Sequence, residues 1–203
     1  MSRCSRFFTL CLVGLPLATL ARATWSAAPT AQPLSLAAPA AAAPQPRAET
    51  KTPSARLTQG DARLARLESY IVDKVNAERK QLNLRPLATD SLLAEVARAH
   101  SAEMRDKGYF AHESPTTTLR EPLDRYVLAF GETPRLIAEN IYRQWSTGPQ
   151  ALTTARADTA HKALMNSPGH RANILLPNAT RIGVGLVANA NGDIWLTENF
   201  SRP

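Results

Sequence analysis

The chain has 203 residues, a formal net charge of +7 and two cysteines. Its lysines and arginines are interspersed with acids instead of massed in a basic block, which argues against nucleic acid as a partner. Both cysteines, Cys4 and Cys11, fall in the first apolar stretch. The part that folds therefore offers no disulfide framework, thiolate ligand or cysteine nucleophile.

That first stretch reads as an export leader. Arg3 and Arg6 precede the apolar run 7–20, and Ala21-Arg22-Ala23 fits a small-x-small cleavage site. The run is too short for a comfortable membrane span, so residues 1–23 are expected to be removed. No transmembrane segment remains, and the destination is the periplasm or the cell exterior. Leu10, before Cys11, is not the small residue a lipidated cysteine requires. Losing Arg3, Arg6 and Arg22 takes the charge from +7 to +4, which leaves a weak attraction to anionic surface polymers. Residues 24–55 are rich in Ala and Pro and read as an extended, disordered tether. Residues 56–203 are one domain in size, read as a monomer.

Leu64, Leu67, Ile71, Val75 and Leu82 recur at helical spacing, with Asp73, Lys74, Glu78 and Arg79 elsewhere on the wheel. Thr89 or Asp90 caps a second helix with the face Leu93, Val96, Ala97, His100, Met104, and Gly108 ends it. Residues 121–130 predict a short third helix, and 138–143 a strand. Pro149 stands at a helix-starting position before an Ala-rich segment reaching Met165. Ser167, Pro168 and Gly169 halt that helix and let another begin beside His170. The period then changes. Ile182, Val184 and Leu186 alternate with glycines, Asn191-Gly192 signals a hairpin, and the return strand puts Ile194, Leu196, Glu198 and Phe200 on one face. The plan is α+β, helices packed against a small antiparallel sheet.

All four histidines lie in the domain. His100 shares an apolar face and reads as a hydrogen-bonded core residue; His161, mid-helix among Ala, Thr and Lys, is expected at the surface. His112 sits in a loop just after a helix, where site residues concentrate. His170 stands at a helix start, whose partial positive charge keeps an imidazole neutral. Glu139 enters a short apolar stretch and needs a partner there. Two imidazoles and a carboxylate from separate segments suit a divalent metal with a position left for water. They equally suit a polar cluster that only ties loops together. No His-Glu-x-x-His, Gly-x-Ser-x-Gly or phosphate-binding glycine loop is present, and Gly183-Val184-Gly185 opens no helix.

Over about residues 65–201 the chain resembles the CAP superfamily (cysteine-rich secretory proteins, antigen 5, pathogenesis-related 1) in its bacterial secreted form. The motifs, in order, are Val75-Asn76-Ala77-Glu78-Arg79, Ala99-His100-Ser101, Tyr109-Phe110-Ala111-His112-Glu113-Ser114-Pro115, Glu139-Asn140-Ile141 and 166–175, followed by 182–185 and 197–200. The resemblance implies an α-β-α sandwich with a large cleft holding His112, Glu139 and His170. It implies His112 and His170 as ligands of zinc or another divalent cation, and a small-molecule, lipid or cell-wall ligand. No reaction comes with it. Glu139 is the candidate base if the protein is a metal-dependent hydrolase; a structural envelope protein without a ligand is the other alternative. The chain departs from the family pattern at Ala138, where Gly is common, and at Leu164, where Trp is common. Residues 164–167 lack the second cleft glutamate of animal and plant members. Glu198 stands where Gln is usual. It is weighed as a replacement for the missing cleft charge, but preferred as a rim residue or a partner for Arg171 or Arg181.

Overall fold

The computed structural model describes residues 59–203. The leader 1–23, the tether 24–55 and residues 56–58 of the expected domain lie outside the described residues. No described helix is long and apolar enough to cross a membrane.

Helix α1 (Gln59–Gln81) buries Leu67, Ile71 and Val75, as its spacing predicts, with Val72 beside them, whereas Leu82, read on the same stripe, lies past the helix end and is exposed. Arg79, read as part of its polar side, is instead fully buried. Its guanidinium donates to the carbonyls of Arg85, Ile174 and Leu176 at 2.8–2.9 Å. A cation survives in the interior only when bonded in this way, and burial lowers its pKa. His161, expected at the surface, is also buried. It lies 3.8 Å from the Glu78 carboxylate, and burial lowers its pKa. Spacing identifies a helix but not how many of its faces neighbours cover.

A two-residue strand β1 (Ala88–Thr89) follows, and Asp90 caps α2 (Ser91–Lys107) by accepting from the Leu93 amide at 3.0 Å. Thr89 is therefore strand, not cap. Gly108 closes α2 at φ +70°, a conformation that favours glycine. Next come α3 (Pro122–Phe130), β2 (Leu136–Gln144), α4 (Thr154–Asn166), α5 (Pro168–Ile174), β3 (Arg181–Ala188) and β4 (Ile194–Arg202). Helix α4 starts at Thr154 and not at Pro149. The backbone of Gln150 runs against Gly192 in the β3–β4 turn, so close that a Cβ there would lie 2.6 Å from its carbonyl oxygen. Residues 149–153 are spent crossing that turn.

The sheet order is β1-β3-β4-β2, antiparallel except for the short β1–β3 pairing. On one face Ile182, Val184, Leu186, Leu196 and Phe200 pack against α1, α4 and α5. On the other, Ile141, Val187 and Trp195 meet Met104 of α2. Helix α2 comes down onto β3 at Gly183 and Gly185, where an added Cβ would stand 2.0–2.6 Å from α2 backbone. Those glycines serve helix–sheet contact, not a nucleotide. The arrangement is an α-β-α sandwich, and β2 is an edge strand between its two helical layers.

Candidate functional site

Successive side chains on β2 point to opposite faces, so Glu139 and Asn140 each serve a different helical layer. Glu139 faces α2 and α3. Arg125 of α3, itself buried, donates one nitrogen to both Glu139 oxygens, at 3.0 and 2.8 Å. The same nitrogen reaches the His112 carbonyl at 3.1 Å. His112 Nδ1 lies 3.0 Å from Glu139 Oε1. Because a carboxylate only accepts, Nδ1 carries the proton of this bond, and in the neutral ring the lone pair is on Nε2. Nearly half of the His112 side chain is exposed, against 1% of Glu139.

His100 closes this cluster from α2. Its Nε2 donates to the Ala111 carbonyl at 3.1 Å and lies 3.7 Å from Glu139. Burial lowers its pKa despite the nearby carboxylate. The core reading of His100 holds, and it also fixes the loop that presents His112.

Asn140 faces the other way. Its amide donates to the His170 carbonyl and to Glu198, both at 3.1 Å. Asn173 returns a bond to Asn140 Oδ1 at 2.9 Å and one to the Glu139 carbonyl at 3.2 Å. Helix α5, with His170 in its first turn, is therefore held onto β2 by backbone and amide bonds. His170 is half-buried. Burial first, and the neighbouring His112 second, lower its pKa, so it is neutral and competent as a ligand at pH 7. Its Nδ1 is buried without a partner. The two histidines thus arrive from opposite helical layers.

Glu198 does not join them. It is fully buried opposite Asn140, on the face that carries α5, with Oε1 unpartnered. The preferred rim placement is corrected. Arg181 pairs with Asp90 at 2.7 Å instead, and Glu198 adds no charge beside Glu139. Its alternation with Leu196 and Phe200 already pointed inward. Arg125 and Asn173, which align the histidines, carry no local signal because their partners are distant in sequence.

Among the described residues no group of three or more His, Cys, Asp or Glu is placed to hold a metal. Of the three residues read as a cation site, Glu139 is bonded at both oxygens, while His170 Nδ1 has no partner and the His112 ring is bonded only through Nδ1. Glu139 joins His112 to Arg125 through those oxygens.

The sequence model of the family described as "CAP: Cysteine-rich secretory protein family" matches residues 72–200. The uncharacterized protein YkwD of Bacillus subtilis (strain 168) is 40% identical over 143 residues, covering 70% of this chain and 50% of that protein. The chain thus spans half the length of that relative. Among solved structures, an extracellular protein containing a SCP domain from Bacillus anthracis str. Ames is 33% identical with a TM-score of 0.59, over 74% of this chain and 45% of that one. An outer surface protein from Borrelia burgdorferi has a TM-score of 0.56 over 68% of this chain and 92% of that one; at 18% identity the likeness is of fold alone.

Proposed function

Since the chain belongs to the cysteine-rich secretory protein (CAP) family, we propose that it is an exported binding module whose cleft takes a divalent cation between His112 and His170. The observation that carries this reading is the His112–Glu139–Arg125 chain of contacts, at 3.0 and 2.8 Å. It turns the lone pair of His112 outward and sets the ring, as the second partner of a metal-binding histidine does. The ion, when bound, would draw an oxygen or nitrogen donor of the ligand into the cleft. Similarity to an extracellular Bacillus protein supports export, together with the leader read from residues 1–23.

The same geometry argues against a hydrolase that uses Glu139 as base. Its side chain is 1% exposed and both oxygens accept from Arg125, so it has no free path to a reacting proton.

Equilibrium dialysis with zinc separates metal binding from a purely structural cluster. Wild-type protein is expected to retain the ion, and a His112→Ala/His170→Ala variant to lose it. Equal, negligible retention by both removes the cation from the reading.

One observation favours a second, lipidic ligand. A cavity of about 420 Å³ opens between α2 and α3, lined by Val96, Ala99, Leu119 and Leu128 with His100 and Arg125 among its walls. Such an apolar space with a few polar groups suits a small amphiphile. Uptake of a medium-chain fatty alcohol by the wild type, blocked by Ala99→Trp, is the expected result. Uptake unaffected by that substitution places the amphiphile elsewhere.

A further inference from the structure

Beyond His112 the cleft wall continues along β2 to a second cluster that the cation site does not use. Glu139, Ile141 and Arg143 share a face of the strand, so Arg143 lies about 13 Å along it from Glu139 at 3.3 Å per residue. Its guanidinium sits over the Phe110 ring, 5.0 Å from the centroid, and over Trp145, 4.2 Å from the centroid. Phe110 is two residues before His112, so one loop supplies both ends of this wall. Trp145 is held edge-on by the buried Trp195, with ring centroids 6.0 Å apart and planes at 79°.

Three properties make this more than a surface stack. Phe110 is 40% and Trp145 62% exposed, so both rings keep open area after covering the guanidinium. No carboxylate lies within ion-pair reach of Arg143 among the described residues. No hydrogen bond from the Arg143 guanidinium is made among the described residues either, so its N–H groups are open to match a carboxylate bidentately. The cluster therefore offers a flat apolar face and an anion fork at a fixed separation.

We propose that Phe110, Arg143 and Trp145 form a subsite for a carboxylate-bearing saccharide. A pyranose presents C–H groups on its face and, in a uronic acid or a carboxyl ether, a carboxylate on its edge. One sugar can therefore lie on Trp145 and meet Arg143 at the same time. A peptide glutamate brings the carboxylate on a flexible stem without the stacking face, and so satisfies half of the subsite. Phe110 is two residues before His112, so the anchored sugar would lie beside the histidine end of the cleft. The subsite extends the proposed cleft but does not depend on a bound cation.

The test uses the full chain and tetragalacturonate, with Trp145 as a fluorescent reporter and calorimetry as a second readout. Saturable binding is expected, weakened at least tenfold by full methyl esterification of the sugar. Arg143→Gln and Trp145→Ala are each expected to weaken it at least tenfold. Arg143→Lys falls similarly, because an ammonium keeps the charge but not the fork. Trp145 is exposed, so its removal leaves the fold intact and the test informative if Arg143→Gln unfolds. Sugar binding is expected to be unchanged by EDTA, which separates failure of the cation site from failure of this one. Absence of binding, or equal binding of the ester, overturns the proposal. So does tighter Arg143-dependent binding of a tetraglutamate peptide or of phosphatidylglycerol vesicles.

Discussion

Glu198 is fully buried in the sheet, and its protonation bears directly on stability. Burial pushes its carboxyl up to about 7, against the hydrogen bond from Asn140, which pulls it down. Its reference value is 4.5, so between the two the folded chain holds a proton that the unfolded chain has released. Stability from this group is complete below the unfolded value, falls as pH rises towards 7, and stays at the lower level above it. The difference amounts to roughly 3 kcal/mol. Glu198→Gln keeps an acceptor for Asn140 and cannot ionise. Urea unfolding at pH 5 and pH 8 is therefore expected to show the variant gaining on wild type by about 2.5 kcal/mol across that interval, the rest being lost already below pH 5. An equal pH dependence in both proteins contradicts the buried carboxyl as its source.

At the scale of elements, two contacts decide how the sandwich closes. Helix α2 meets β3 through Gly185, where an added Cβ would stand 2.0 Å from the Arg98 amide nitrogen. Backbone cannot swing aside as a side chain does, so Gly185→Ala is expected to cost at least the roughly 1–3 kcal/mol typical of overpacking. A thermal melt within one degree of wild type contradicts that closeness. The second contact is Asn140, whose bonds to His170, Asn173 and Glu198 hold α5 on the edge strand. Asn140→Ala strands buried polar groups at a cost of roughly 1–3 kcal/mol each. The loss is expected first in α5: hydrogen exchange at 168–174 rises while β3 and β4 remain protected. Uniform exchange across the domain argues instead that α5 and the sheet open as one unit.

At the scale of the whole molecule, the elements that pattern alone makes legible are those with one covered face. The apolar stripes of α1 and α2, the alternation in β3 and β4 and the turn before His170 all appear in the sequence because local spacing dictates them. The burial of Glu198 follows the alternation of β4; Arg79 and His161 are misplaced for one shared reason. Each is polar, and each is covered by an element distant in sequence, which no local period records. The histidines are legible as residues, but their alignment through Arg125, Asn140 and Asn173 is tertiary. That alignment brings His112 in from the α2–α3 layer and His170 in from the α4–α5 layer, so a cation held by both links the two layers across the edge strand. It would bind the folded chain and not the unfolded one. At a hundred times its dissociation constant such an ion stabilises the domain by about 2.7 kcal/mol, a melting rise of roughly 5–10 °C for a domain of this size. Zinc is expected to raise the melting temperature of wild type by that amount. His170→Ala, which leaves one donor on one layer, is expected to melt at the same temperature with and without zinc. A full zinc-dependent rise in His170→Ala locates the ion away from the junction of the layers.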